Sequence, residues 1–275
     1  MYEIELIIFA LSGYLSFRFF FKWYRTLFAV WPPERSNPAR TVLGLLPPIS
    51  LFVMIYTLKA LVSFDVVDDF FYIIFYIAIG FAWLYFGLVI MACLFDLPWI
   101  DDVLSMNNKA ALFSFAGGFL GLTIIYSAAN IGDGPGWWCV IFAGGLGLIT
   151  WIVLALIVNL LAQVFERVTV DRDISCGIRF GCYLIASGIV LGRASAGDWT
   201  SFAMTVIEFM AGWPALPLTA LFILIERYYI YMAKAGRESE CNHIWSSILW
   251  GAIFIAIAVT SIMMLPPMTE NPIYH

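Results

Sequence analysis

The chain alternates between long apolar segments and short polar turns, and this alternation extends over all 275 residues. A transmembrane helix needs about 20 mostly apolar residues to cross the bilayer. The segments that reach this length run roughly over residues 4–24, 43–63, 70–95, 110–130, 137–164, 176–195, 201–227 and 245–265. The pattern predicts an all-α, polytopic membrane helix bundle of about eight transmembrane helices, forming a single integral membrane domain over 1–275.

The composition agrees with this prediction and excludes other classes of protein. Hydrophobic residues make up 63% of the chain and charged residues 12%, whereas soluble domains are about 45–50% apolar and about 25% charged. The formal net charge of -5 argues against binding to nucleic acid, which requires a basic patch. Membrane lipids are therefore the first expected partners, and no nucleic-acid partner is expected.

The positive charges fall mostly on one side of the predicted bilayer. Only Lys59 and Arg193 face the other side. The remaining twelve of the fourteen basic residues are Arg18, Lys22, Arg25, Arg35, Arg40, Lys109, Arg167, Arg172, Arg179, Arg227, Lys234 and Arg237. Because cytoplasmic loops carry the excess of Lys and Arg, we expect a multi-pass protein with both termini outside the cytoplasm.

A repeated pattern of marker residues predicts three helical hairpins, over 37–96, 107–166 and 171–226, flanked by single helices in 1–36 and 240–275. The markers are a polar opener (Asn37, Asn107, Asp171), a helix-distorting residue (Pro47, Gly117, Gly181), an acid in the outer turn (Asp65, Asp133, Asp198), a Trp (Trp83, Trp151, Trp213) and a closing acid (Asp96, Glu166, Glu226). All three hairpins would share one orientation and so form parallel repeats. The alternative is that bilayer thickness alone sets this spacing.

The middle hairpin resembles a known family. It begins Asn107-Asn108-Lys109-Ala110-Ala111 and continues through a Gly-rich first helix. Its return helix contains Gly144-Gly145, and the polar segment 171–177 then begins the next hairpin. Over about 107–195 this is similar to the YjfL-like bacterial inner-membrane family, a repeated two-helix domain of unknown function. The start of the third hairpin departs from this pattern, and so does the first hairpin. The resemblance implies a fold and a location in the bacterial inner membrane, but no catalytic residues.

Glu208 is the strongest candidate for a functional side chain. It lies roughly two turns inside the seventh segment, or about 10 Å below the outer interface at 1.5 Å per residue. A charge at this depth is costly unless it faces protein or water. Two interpretations stay open: a structural ion pair with Arg193 or Lys59, or a site on the path of an ion or substrate. Lys59 and Arg193 could also extend to the interface as anchors.

Two further groups of residues point to contacts between helices. Asn159 and Gln163 share one face of the fifth helix and are predicted to form polar contacts with a neighbouring helix. The glycine pairs with small-residue spacing are Gly117 and Gly121, Gly177 and Gly181, and Gly188 and Gly192. Such pairs let helices approach closely, either within one bundle or across a dimer interface.

Four prolines are expected to kink or interrupt their helices: Pro47, Pro48, Pro214 and Pro217.

The sequence contains no motif typical of an enzyme. His243 and His275 lie outside the predicted spans, no metal-ligand spacing is present, and no phosphate-binding loop or nucleophile elbow occurs. We therefore expect no catalytic activity, no metal and no cofactor. The first functional prediction is a non-catalytic accessory or scaffold subunit of a larger envelope complex, with other membrane subunits or self-association as partners. The alternative is a small ion- or proton-coupled transporter or channel that uses Glu208.

Overall fold

The computed structural model describes residues 3–29, 38–61, 64–67, 69–235, 243–268 and 270–271. Some predicted features lie outside these residues. They are the basic turn before Pro38 with Arg35 and the opener Asn37, the side chain of Asp65, Arg237 and Cys241 in the last basic turn, and His275.

The described chain forms eleven α-helices and contains no strand. The helices are α1 (Glu3–Phe28), α2 (Pro38–Ala60), α3 (Phe64–Val67), α4 (Phe70–Leu94), α5 (Lys109–Ala128), α6 (Trp137–Ala162), α7 (Val164–Thr169), α8 (Ile174–Ala194), α9 (Phe202–Phe209), α10 (Ala215–Lys234) and α11 (His243–Met264). A π-helical turn, Trp99–Ser105, lies between α4 and α5. Eight segments are long and apolar enough to cross a membrane, which confirms the predicted all-α polytopic bundle.

The eight spans give the bundle two ends of different charge. The basic end contains the last turn of α1 with Arg25, the start of α5 with Lys109, and α7 with Arg167. The acidic end contains the first turn of α1 with Glu5 and the two turns that hold Asp133 and Asp198.

The centre of the bundle is the pair α5 and α8, which form the most extensive interface in the described chain. Glycines make this close approach possible. A Cβ atom on Gly117 would collide with the backbone of Gly181, and one on Gly177 would lie 2.5 Å from the carbonyl oxygen of Ala110. Likewise, a Cβ on Gly188 would lie 2.9 Å from the Cα of Gly121. The predicted small-residue contact is therefore used inside one bundle, and it fixes α5 against α8.

The other spans surround this pair. Helix α11 packs along α8, α2 packs on α5, and α1 packs on α4. Aromatic side chains fill the space between α1 and α5, where Trp23 stacks on Trp99 with ring centroids 4.3 Å apart. A buried hydrogen bond between the hydroxyls of Ser50 and Thr123, 2.7 Å long, joins α2 to α5. The outward faces of α1 and α11 remain largely exposed and apolar, as expected for lipid contact.

The connections leading into α5 and α8 share one design. Each return helix ends at a left-handed residue, Asp96 (φ 52°) or Gln163 (φ 49°), and a short helical turn follows. A second left-handed residue, Asn107 (φ 51°) or Arg172 (φ 56°), then precedes an N-cap whose side chain accepts from the new helix: Asn108 before α5 and Asp173 before α8. The N-caps thus lie one and two residues after the predicted openers Asn107 and Asp171.

The three marker tryptophans do not occupy equivalent environments. Trp151 is buried and its Nε1 donates to the carbonyl of Leu184, 3.0 Å away, whereas Trp213 is 61% exposed. Trp83 is half-buried. The similar connections support a duplication of the hairpin and the tryptophans do not, so the three-hairpin repeat stays a prediction.

Candidate functional site

A cavity of about 410 Å³ opens at the acidic end of the bundle. It lies among the first turn of α1, the start of α4, the turn between α5 and α6, and the turn between α8 and α9. Four carboxylates line it: Glu5, Asp133, Asp198 and Glu208. Among the described residues that line the cavity there is no Lys, Arg or His, so the cavity attracts cations and repels anions.

Glu208 lies in the last turn of α9, directly before an interruption of the seventh span. A short 3₁₀ turn, Met210–Gly212, follows α9, and α10 begins only after Pro214. The interruption predicted from Pro214 is thus observed, because Pro cannot donate the backbone hydrogen bond that would continue the helix, whereas Pro217 lies inside α10 and does not interrupt it. In contrast, α2 remains one helix through Pro47 and Pro48.

The two basic residues predicted as partners of Glu208 bind elsewhere. Nζ of Lys59 donates to the carbonyl of Val67, 2.8 Å away, and Nη2 of Arg193 donates to the carbonyl of Pro266, 2.6 Å away. Both cations thus bind backbone oxygens near helix ends, where carbonyls lack intrahelical partners. No ion pair involves Glu208 in the part of the chain that the structure describes, so the predicted ion pair is not formed there.

The two turns beside the cavity are bonded to each other. Oδ1 of Asp198 accepts from the backbone N–H of Asp133 at 2.7 Å, and its Oδ2 accepts from the N–H of Asn271 at 2.8 Å. The backbone of Gly132 (φ 107°) packs so closely on that of Gly197 that a Cβ would collide with it. Asp198 therefore holds the cavity wall, and its two oxygens already accept hydrogen bonds.

Asn130 is a buried polar residue in the cavity wall, with 3% of its surface exposed. Its Nδ2 donates to the backbone carbonyl of Tyr126 at 2.7 Å. Its Oδ1 has no hydrogen-bond partner within the described residues. A buried acceptor without a partner is unusual in folded proteins and requires an explanation.

A second cluster of charges lies near the basic end, and the sequence pattern did not predict it. The Nε of Arg179 donates to Oε1 of Glu226 at 2.5 Å, and its Nη2 donates to Oε2 at 2.9 Å. Arg167 donates to the same Oε2 and to Asp173, each at 2.6 Å. Arg179 is 1% exposed and Glu226 is fully buried. We call these four residues the ion network.

The ion network joins four helices. Glu226 belongs to α10, Arg179 to α8 and Arg167 to α7. The Nη1 of Arg179 also donates to the hydroxyl of Ser247 in α11, 2.5 Å away, and its guanidinium carbon lies 4.0 Å from the centre of the Tyr229 ring. Two positive and two negative groups thus satisfy each other inside the bundle, which is how buried charges are tolerated.

The ion network keeps its two outermost side chains, Asp173 and Arg167, in their ionised forms. Burial alone would raise the pKa of Asp173, but the hydrogen bond from the backbone N–H of Cys176 and the positive charge of Arg167 lower it below 3.8. For Arg167, burial lowers the pKa, but the negative groups around it, Glu226 and Asp173 among them, raise it overall. Asp173 and Arg167 are therefore both charged at neutral pH.

Within the described residues, the predicted polar contact of Asn159 and Gln163 with a neighbouring helix is observed only for Asn159. Oδ1 of Asn159 accepts from the backbone N–H of Phe165 at 2.9 Å, so its partner is α7, the short helix that directly follows α6, and not a packed span. Gln163 is exposed in the left-handed conformation that ends α6. Both residues form the connection to α7, because a helix end must bind its unpaired backbone groups locally.

Comparison with known proteins gives one partial match. Residues 65–195 match a family described only as a domain of unknown function, DUF350. The matched region includes α4, α5, α6 and α8, and with them Asn130, Asp133 and Arg179, but it ends before Glu208 and Glu226. No curated protein and no solved structure matches the chain.

Proposed function

We propose that this membrane protein is a small ion-coupled transporter or channel in which Glu208 binds the ion. The observation that supports this most is the cavity at the acidic end, where Glu208 lies with three other carboxylates and, among the described residues, no basic lining residue. An acid inside a membrane protein that has no ion-pair partner marks an ion path more often than a structural contact.

The interruption of the seventh span beside Glu208 supports the same function. Secondary transporters commonly bind their coupling ions where a transmembrane helix is broken, because the free carbonyls at the end of the half-helix add oxygen ligands. Here α9 ends at Phe209, one residue after Glu208. The carbonyls of Ile207 and Glu208 accept from the N–H of Met210 at this break, and the second lone pair of each carbonyl oxygen stays available to an ion.

In this proposal the ion network closes the bundle near its basic end, opposite the cavity. The cavity is reached from the acidic end, whereas near the basic end Arg179 and Glu226 join α8, α10 and α11 without exposed surface. Access from one side with closure on the other is the arrangement that alternating access requires.

Orientation and location complete the proposal. The excess of basic residues favours a cytoplasmic position for the basic end, so the cavity would open to the outside of a bacterial inner membrane. The protein would then take up or release its ion on that side.

A flux measurement in proteoliposomes tests the proposal. Purified protein is reconstituted, and uptake of protons, Na⁺ or K⁺ is followed with an internal pH-sensitive or ion-sensitive dye under an imposed gradient. The Glu208→Gln variant keeps the size of the side chain but removes its charge, and it should lose the flux. Glu3→Gln is the matched control, because Glu3 is an exposed acid at the same end that does not line the cavity.

The same experiment also tests the alternative prediction, an accessory or scaffold subunit. If the wild-type protein carries none of these ions and instead co-purifies with a fixed membrane partner after mild detergent extraction, the subunit interpretation replaces transport. Flux that is equal in wild type and Glu208→Gln would also exclude the proposed role of Glu208.

A further inference from the structure

We infer that the cavity at the acidic end binds a monovalent metal cation, Na⁺ or K⁺, with Asn130 and Glu208 among its ligands. This inference rests on the proposed function and names the ion. It also assigns a role to Asn130, whose unpaired oxygen the carboxylates alone do not explain.

The amide of Asn130 has a defined orientation. Because its Nδ2 donates to the Tyr126 carbonyl at 2.7 Å, its Oδ1 is the polar atom left without a partner. The residue is 3% exposed and lines the cavity. Burying an acceptor without a partner is costly, and a cation in the cavity removes that cost.

The carboxylates of the cavity divide into two kinds. Asp198 accepts from two backbone N–H groups, and Glu5 accepts from the hydroxyl of Tyr72 at 3.3 Å. The carboxylates of Glu208 and Asp133 make no ion pair or hydrogen bond within the described residues. The first pair holds the walls, and the second pair supplies negative charge for a bound cation.

The ligand set favours a monovalent ion over a divalent one. Ca²⁺ takes 6–8 oxygen ligands, typically with several carboxylates around one point. Across the described residues no group of three His, Cys, Asp or Glu side chains is close enough to hold a metal in this way. One amide oxygen with nearby carboxylates and carbonyls suits an ion of lower charge that keeps part of its water.

Asn130 also separates a metal cation from a proton. A proton can neutralise Glu208, but a neutral amide oxygen does not take up a proton near pH 7. A proton on Glu208 supplies a single O–H donor and so satisfies at most one acceptor. A metal cation binds carboxylate and amide oxygens together.

Cation binding is measured on the purified full chain in lipid nanodiscs. The melting temperature is recorded while NaCl or KCl replaces choline chloride at constant ionic strength, and binding is confirmed by isothermal titration calorimetry. Wild type should show a saturable rise in melting temperature with one of the two metal ions. Glu208→Gln and Asn130→Ala should each weaken the apparent affinity about tenfold or more, whereas Glu3→Gln should retain it.

The outcomes separate this inference from the proposed function. If neither Na⁺ nor K⁺ raises the melting temperature of wild type, the inference is overturned. Proton flux that still depends on Glu208 would then leave the proposed function intact, with the proton as its ion. If Asn130→Ala fails to fold, Glu208→Gln decides, because unchanged cation affinity in that variant overturns the inference.

Discussion

Arg179 and Glu226 form a two-point ion pair inside the bundle, with N–O distances of 2.5 and 2.9 Å and almost no exposed surface on either side chain. Each residue also has a second partner, since Arg167 donates to Glu226 and Arg179 donates to Ser247. The pair therefore connects α7, α8, α10 and α11 at one point near the basic end.

Removing one member of this pair should destabilise the protein strongly. In Glu226→Gln the buried guanidinium of Arg179 loses its counter-charge, and the expected cost is about 3–5 kcal/mol. Thermal or denaturant unfolding in detergent measures it. The neighbouring Arg227→Gln, at an exposed position, serves as control and should be neutral. The double variant Arg179→Leu with Glu226→Leu should recover part of the loss, because it leaves no unpaired charge between the two positions; a double variant less stable than Glu226→Gln would contradict this explanation.

The glycine contact between α5 and α8 gives a second prediction. In Gly117→Ala the new methyl group meets the backbone of Gly181, and overpacking of this kind costs about 1–3 kcal/mol. Gly145→Ala is the matched control, because no described atom lies within 4 Å of the added carbon, and Ala in place of Gly within a helix gains about 0.5–1 kcal/mol. Melting temperatures of the two variants should move in opposite directions. Equal shifts would show that the close approach of α5 and α8 is not essential.

The ion network predicts a defined sensitivity to acid. The pKa of Asp173 is lowered in the folded protein from its ordinary value of 3.8, so its contribution to stability is complete above that value and is lost as the pH falls through the folded pKa. Asp173→Asn keeps an N-cap oxygen for Cys176 but removes the charge. Its stability should therefore change less than that of wild type between about pH 5 and pH 2.

The control for this pH series is Asp171→Asn. Asp171 is exposed and makes no ion pair in the described part of the chain, so this variant should retain the pH dependence of wild type. If the difference between wild type and Asp173→Asn stays constant across the series, the lowered pKa of Asp173 contributes nothing to stability.

The sequence predicted the spans well because bilayer thickness fixes the length of each apolar segment. It also predicted the interruption before α10, since Pro214 cannot continue a helix. It missed the partnership of Arg179 with Glu226, although both residues lie inside predicted spans and near the same predicted end. Arg179 was assigned to membrane orientation and Glu226 to the end of a hairpin. Depth in the membrane follows from position in the chain, whereas the neighbour that a helix face meets depends on packing.

In the cavity, too, the local sequence reveals one feature, whereas the others depend on contacts between distant parts of the chain. Glu208 could be identified from its depth in an apolar segment. Its surroundings could not, because they depend on how the α5–α6 turn and the α8–α9 turn contact each other through Asp133 and Asp198. The role of Asn130 was equally hidden, because an unpaired oxygen is a property of the folded chain.

The initial rate of ion uptake by Glu208→Gln proteoliposomes, relative to that of Glu3→Gln proteoliposomes at equal protein content, is the most direct test of the proposed function. Both variants remove one carboxylate from the acidic end, but only Glu208 lines the cavity. We predict a relative rate of about one tenth or less, since losing the binding charge should cost at least 1.4 kcal/mol. A relative rate near one would contradict the proposal that Glu208 binds the transported ion.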